Sequence, residues 1–144
     1  MQLQTTSQLI NYAVELEDKS AKFYEDLAEK FKECKETFLF FVKENKKNKI
    51  LIYRTYNEVV TDAFETGFSL EGFNTDEYIF EGTVAEDASL SDMVHRALET
   101  EQIIQRFYLS TAEKSKSFLA DISQVFERIA KKRGEGKEKL KSLL

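Results

Sequence analysis

The sequence predicts an all-α four-helix bundle, built as two duplicated antiparallel helix pairs joined by a long crossover loop. Three observations predict it. The 144 residues include no proline and only five glycines, and 33% of them are charged, a composition that suits long helices and disfavours a turn-rich β fold. Apolar residues recur at alternating steps of three and four over most of the chain, the period of one helix face. Residues 13–30 return at 97–114 with eight identities at an offset of 84: Ala13/Ala97, Glu15/Glu99, Glu17/Glu101, Phe23/Phe107, Tyr24/Tyr108, Ala28/Ala112, Glu29/Glu113 and Lys30/Lys114. One domain spanning 1–144 is expected, because a chain of this length buries most of its unfolded apolar surface in a single core.

The elements follow in order. Thr5, Thr6 and Ser7 offer an N-cap, after which Ile10, Ala13, Glu17, Ser20, Tyr24, Leu27 and Phe31 mark a first helix over about 7–33. A short connection at Cys34 to Glu36 leads to a second helix over about 37–65, with Val42, Lys46, Lys49, Tyr53, Tyr56 and Val60 on its predicted inner face. Residues 67–89 hold three of the five glycines and show no helical period. They form the crossover that carries the chain back along the bundle when its second and third helices lie parallel, and Phe68, Phe73, Tyr78 and Phe80 are expected to pin it to the outside. Ser89 with Asp92 resembles a capping box ahead of a third helix, about 90–114, with Val94, Ala97, Glu101, Ile104 and Tyr108 inward. The fourth, about 117–143, presents Leu119, Ile122, Phe126, Ile129, Arg133, Gly136, Leu140 and Leu143. Gly134 and Gly136 each cost a helix about 1 kcal/mol relative to alanine, so a kink or fraying is expected there.

Composition removes several function classes. A net charge of −5 gives no general attraction to phosphate backbones, so nucleic acid is not an expected partner. Charge is uneven: residues 61–90 carry eight acids and no Lys or Arg, while 126–144 carry seven basic residues against three acids. These are expected to be a solvated acidic connection and a helix C-terminus whose cations offset the macrodipole. The lone Cys34 excludes an intrachain disulfide and any Cys-x-x-Cys metal knuckle. No apolar run reaches membrane-span length and the first residues do not resemble a signal peptide, so a cytoplasmic protein is expected, with no membrane partner. There is no Gly-rich phosphate loop and no Ser-His-Asp set.

Each predicted inner stripe carries charge near its middle: Glu17 on the first, Lys46 and Lys49 on the second, Glu101 on the third and Arg133 on the fourth. These positions fall near one layer. A charge on an apolar seam costs several kcal/mol unless it is paired or metal-bound, so the coincidence needs a cause. Here the chain resembles the ferritin-like, rubrerythrin-type family of di-iron carboxylate bundles over nearly its whole length. In that family the first and third helices each give one Glu ahead of a Phe-Tyr pair, and the second and fourth each give Glu-x-x-His. Glu17 and Glu101, each six residues before its Phe-Tyr, match the first kind of position and are the retained metal-ligand candidates.

The second kind is substituted. Laying the family pattern on residues 41–50 and 129–136 places Lys46 and Arg133 at the Glu positions and Lys49 and Gly136 at the His positions. Shifted registers give Asn45 with Asn48, Glu44 with Lys47, or Glu135 with Glu138, and none restores Glu-x-x-His. Two carboxylates facing Lys46, Lys49 and Arg133 leave a core within about one unit of neutral, and Arg133 suits bidentate pairing. The resemblance therefore implies a degenerate di-iron site, metal-free or metal-poor, in which salt bridges replace the metals and the role is structural or interactive. No cofactor is expected and catalytic residues are not identified. The alternative is a di-iron-type oxidoreductase or iron-binding protein with iron at a remodelled site on Glu17 and Glu101. A third option is a small-molecule binder that holds an anion with the Lys and Arg cluster.

Other chemistry-bearing residues have plainer roles. Asp92 and His95 have metal-pair spacing, but at 100° per residue both rotate away from the Glu101 stripe, so surface placement is expected. Lys46 or Lys49 as a Schiff-base nucleophile would need a depressed pKa, and neighbouring glutamates act in the opposite direction. The continuous apolar run from Phe38 to Val42, with Ile50, Leu51 and Ile52, exceeds what one helix face hides. Homodimerisation through the second helix is the expected reason.

Overall fold

The computed structural model describes residues 2–3, 5–60, 73–116 and 119–144. Four α-helices dominate it: α1 (Thr6–Lys30), α2 (Lys35–Val60), α3 (Leu90–Ser115) and α4 (Ala120–Lys141). Helix α1 starts at the expected threonine. Thr5 Oγ1 accepts from the Gln8 amide at 3.1 Å while the Gln8 side chain accepts from the Thr5 amide at 3.2 Å, a reciprocal capping box. Ser89 caps α3 through the Asp92 amide at 3.1 Å. Helix α1 ends at Lys30, three residues before its expected limit, and the turn Lys32–Cys34 is 3-10. Residues 61–65, the expected end of α2, and Phe68 lie outside the described residues.

Helix α1 packs along α2, and α3 along α4. Contacts ascend one helix while descending the other. On the first pair, Ser7 meets Tyr56, Glu17 meets Asn48, Ser20 meets Asn45 and Tyr24 stacks on Phe41. On the second, Glu101 meets Arg133, Gln105 meets Ala130, Tyr108 meets Phe126 and Ser123 reaches Ala112. Identities in the repeat translate into equal environments. Both copies of the Phe-Tyr pair, both glutamates (Glu17 and Glu101) and all four repeated alanines are buried, whereas Glu15/Glu99 and Glu29/Glu113 are exposed.

Two apolar clusters result. One gathers Leu9, Ala13, Leu16, Ile104, Phe107, Phe126 and Ile129, and the other Phe23, Leu27, Phe38, Val42, Val94 and Leu140. A polar layer separates them.

The sequence expectation fails on the inner face of α2. Lys46 is exposed, Lys49 is half-buried and pairs with Asp18 at 3.0 Å, and Tyr53 is 39% exposed. The buried face is instead Phe38, Phe41, Asn45, Asn48, Ile52 and Thr55. One residue is 100° of rotation, so a stripe begun correctly at Val42 but continued through Lys46 departs to the side. Large apolar groups at 38, 41 and 52 decide the rotation because their burial outweighs the hydration of two asparagines.

The crossover also differs. Phe73, Tyr78 and Phe80 are buried rather than laid on the outside. Tyr78 and Phe73 meet the Phe107 ring with centroids at 5.4 and 5.8 Å, and Tyr12 approaches the same ring at 5.3 Å. Basic side chains clasp the crossover backbone: Lys19 donates to Phe80 O at 2.5 Å, Arg106 to Glu77 O at 2.7 Å and Arg96 to Thr83 O at 3.1 Å. The segment is thus part of the core. Leu3, fully buried, donates its amide to Phe73 O at 3.1 Å, and Gln2 and Asn74 form a single antiparallel bridge.

Helix α4 runs unbroken through both glycines where a kink was expected. At Gly136 an added Cβ would stand 2.9 Å from Phe41 Cε1, closer than real Cβ contacts. The glycine lets the Phe41 ring of α2 lie against α4.

Candidate functional site

The layer between the apolar clusters is built from one mid-helix residue of each helix. Glu17 and Glu101 are each 1% exposed and Arg133 is 5% exposed. The Arg133 guanidinium lies between the carboxylates: one terminal nitrogen donates to Glu101 Oε2 at 2.7 Å, and the other to both Glu17 oxygens, Oε1 at 2.8 Å and Oε2 more closely. Asn48 Nδ2 donates to Glu17 Oε1 at 2.8 Å, and Tyr24 OH donates to Glu101 Oε1 at 2.7 Å. Ser20 Oγ donates to Asn45 Oδ1 at 3.3 Å. Every carboxylate oxygen has a donor, the condition under which buried charge is tolerated.

Electrostatics of the layer follow from burial and this pairing. Loss of water raises the Glu17 carboxyl above its ordinary 4.5, against the lowering pull of Arg133 and the Asn48 hydrogen bond. Burial acts against the charge of Arg133, yet Glu101 and Glu17 together outweigh it and hold the guanidinium firmly protonated. Both tyrosines are pushed well above 10.0, first by burial and then by the carboxylate facing each, Glu101 for Tyr24 and Glu17 for Tyr108. Both are neutral phenols throughout the physiological range. With Lys46 and Lys49 outside the layer, two carboxylates face one guanidinium, so a proton on Glu17 makes the layer neutral.

The sequence-derived candidates therefore separate. Glu17, Glu101 and Arg133 come together as expected, and Gly136 stands one turn from Arg133 against Phe41. Lys46 and Lys49 do not join them. The residues that replace them, Asn45 and Asn48, occur in the sequence as a shifted register of the same polar run. His95 is exposed with Nδ1 2.8 Å from Ser91 O, remote from the layer, as its rotation along α3 requires. Cys34 is half-buried beside the 3-10 turn, its thiol pushed up by burial and by Glu33.

A pair of irons does not fit this donor set. The space between the two carboxylates is filled by a guanidinium, which offers no lone pair to a metal, and the α2 residues facing it are amides. Among the described residues no group of three or more His, Cys, Asp or Glu side chains could hold a metal ion.

A cavity of about 400 Å³ opens between α2 and α4 and reaches the layer from the side, with Asn48, Glu101 and Arg133 in its wall beside Phe40 and Phe41. The pattern of isolated residues gives no hint of it, since it depends on how two helices not adjacent in sequence splay.

The two tyrosines supply an internal comparison. Tyr108 OH has no hydrogen-bond partner among the described residues, whereas Tyr24 OH serves Glu101. Tyr24→Phe is expected to lower stability by about 1.5–3 kcal/mol, the range for a bond to a charged group, and Tyr108→Phe to leave it unchanged or raise it. Urea unfolding of both variants measures the difference. Equal losses would contradict the assignment of Tyr24 as the Glu101 donor.

Comparison of the chain with family models, with curated proteins and with solved structures found no match.

Proposed function

We propose that the chain is a cytoplasmic, ferritin-like bundle of rubrerythrin type, two antiparallel helix hairpins joined by the crossover, in which a salt-bridged layer stands in place of a di-iron centre and the role is structural or interactive. The observation that carries this is the Arg133 guanidinium held between Glu17 and Glu101. The opposed order of contacts along each helix pair supports the hairpins, and the equal burial of the repeated Glu, Phe and Tyr positions supports the duplicated ancestry. No helix of the described residues is long and apolar enough to cross a membrane.

The test is metal content. Protein purified after growth in iron-rich medium is expected to carry well under one iron per chain by elemental analysis. Stoichiometric iron, with peroxide-dependent turnover lost in Glu17→Ala, would replace this reading with an oxidoreductase.

Interaction begins with self-association. On α2, Ile50 is 58% and Tyr53 39% exposed, apolar surface that a second copy would cover. The wild-type chain is expected to sediment as a dimer and Ile50→Glu as a monomer. A monomeric wild type would remove the homodimer from the proposal.

A further inference from the structure

We infer that the α1/α2 hairpin docks on a second copy of this chain by charge: the acidic stripe of α1 in each copy seats the basic stripe of α2 in the other, about a two-fold axis parallel to the helices. The inference deepens the self-association proposed above and rests on it. Two exposed stripes carry it, each advancing by alternating steps of three and four, the spacing of one helix face. On α1 the stripe is Glu15, Asp18, Lys22, Glu25 and Glu29, and on α2 it is Lys43, Lys46, Ile50 and Tyr53.

Both stripes border one groove, lined by Asp18, Ala21 and Glu25 of α1 and by Lys46 and Lys49 of α2. Lys49 pairs with Asp18 across it at 3.0 Å. Lys22, the single base of the acidic stripe, is held by Asp26 at 2.7 Å. Among the described residues Glu15, Glu25 and Glu29 have no ion-pair partner, and neither have Lys43 and Lys46. An unpaired cationic patch thus lies beside an unpaired anionic one, on a chain of net charge −5.

That adjacency selects the partner. An anionic surface laid on this face would attract Lys43 and Lys46 but meet Asp18 and the α1 glutamates at the same time. A partner with the reversed pattern attracts both stripes, and a second copy has it. Its two-fold axis can lie in the interface perpendicular or parallel to the helices. Perpendicular, it sets α1 on α1 and α2 on α2, like charge on like charge. Parallel, it sets α1 on α2 of the other copy, with residues of one height facing each other. Contacts within the hairpin define the heights, since Glu17 meets Asn48 and Ser20 meets Asn45. Asp18 is therefore level with Lys46 of the second copy, and Glu25 is within one turn of its Lys43. Lys22 also comes level with Lys43, but Asp26 neutralises it.

The face is large enough. The 25 residues of α1 at 1.5 Å each, beside a second helix about 10 Å away, present about 700 Å² per copy, close to the roughly 800 Å² per partner of a specific complex.

Sedimentation equilibrium of the full chain and of two charge-reversal variants tests the interface. Asp18→Lys with Glu25→Lys reverses the α1 stripe, and Lys43→Glu with Lys46→Glu reverses the α2 stripe. The two-fold axis counts every reversal twice, so each variant alone should raise the dimer Kd about a hundredfold. Mixed in equal amounts the two variants should dimerise about as tightly as wild type, because each then presents the complement of the other. Recovery on mixing also shows that both variants are folded.

A mixture as monomeric as its components would overturn the proposal. Variants that each dimerise as tightly as wild type would remove this interface and leave the homodimer standing, whereas a monomeric wild type would remove both. Wild type that co-sediments with phosphatidylserine–phosphatidylcholine vesicles, lost in the Lys43→Glu, Lys46→Glu variant while the mixture stays monomeric, would overturn it in favour of an anionic membrane surface.

Discussion

Arg133→Met is expected to lower stability at neutral pH by about 3–5 kcal/mol, the cost of leaving buried charge without its partner. Methionine matches the arginine stem in volume and leaves Glu17 and Glu101 facing each other. The loss should depend on pH with a definite sign. Burial already holds the Glu17 carboxyl above 4.5, and Arg133 pulls it down. Without Arg133 it rises further. A carboxyl raised in the folded state contributes stability that is full below its unfolded value and is lost as pH rises through its folded value. The deficit of Arg133→Met should therefore be small at acid pH, below the ordinary carboxyl range, and grow as pH rises above 4.5 toward neutrality. Urea unfolding at a series of pH values measures it. A small, pH-independent loss would mean that the guanidinium does not neutralise the layer.

A gain-of-ligand variant tests the ancestry with the next largest effect. The contacts place Asn45 and Asn48 of α2 against α1 as Ala130 and Arg133 of α4 stand against α3. Asn45→Glu, Asn48→His, Ala130→Glu and Arg133→His together would supply Glu-x-x-His on both helices beside Glu17 and Glu101, the six-ligand arrangement of a di-iron bundle. The variant is expected to bind about two ferrous or cobaltous ions per chain and to be stabilised by them, read by elemental analysis and by a metal-dependent rise in melting temperature. A folded variant that takes up no metal would refute the ferritin-like alignment. Ligands placed at Lys46 and Lys49, which the sequence pattern recommends, should fail, because Lys46 faces solvent and Lys49 faces Asp18.

That contrast shows where sequence was legible. Helix number, the first cap, the repeat and the meeting of Glu17, Glu101 and Arg133 were readable because each sits in a run of apolar residues whose period fixes rotation. The run from Lys43 to Lys49 contains no apolar residue, so nearly two turns of α2 offered no hydrophobic signal, and the rotation there is set by Phe38, Phe41 and Ile52 at its ends. Spacing counted back from Ile52 would have found Asn48 and Asn45. The crossover aromatics were visible, but their burial around Phe107 was not, since it depends on a non-helical path. The cavity belongs to the same class: α2 and α4 meet only in three dimensions.

The two halves of the repeat contribute unequally to the layer: the first brings a glutamate with an amide, the second a glutamate with a guanidinium. A hybrid built from two second halves would balance its charges, and one built from two first halves would confront two carboxylates with amides alone. Interchange of the halves is therefore blocked in one direction: with arginine on α4 the asparagines of α2 need carry no charge, whereas α4 cannot give its charge up.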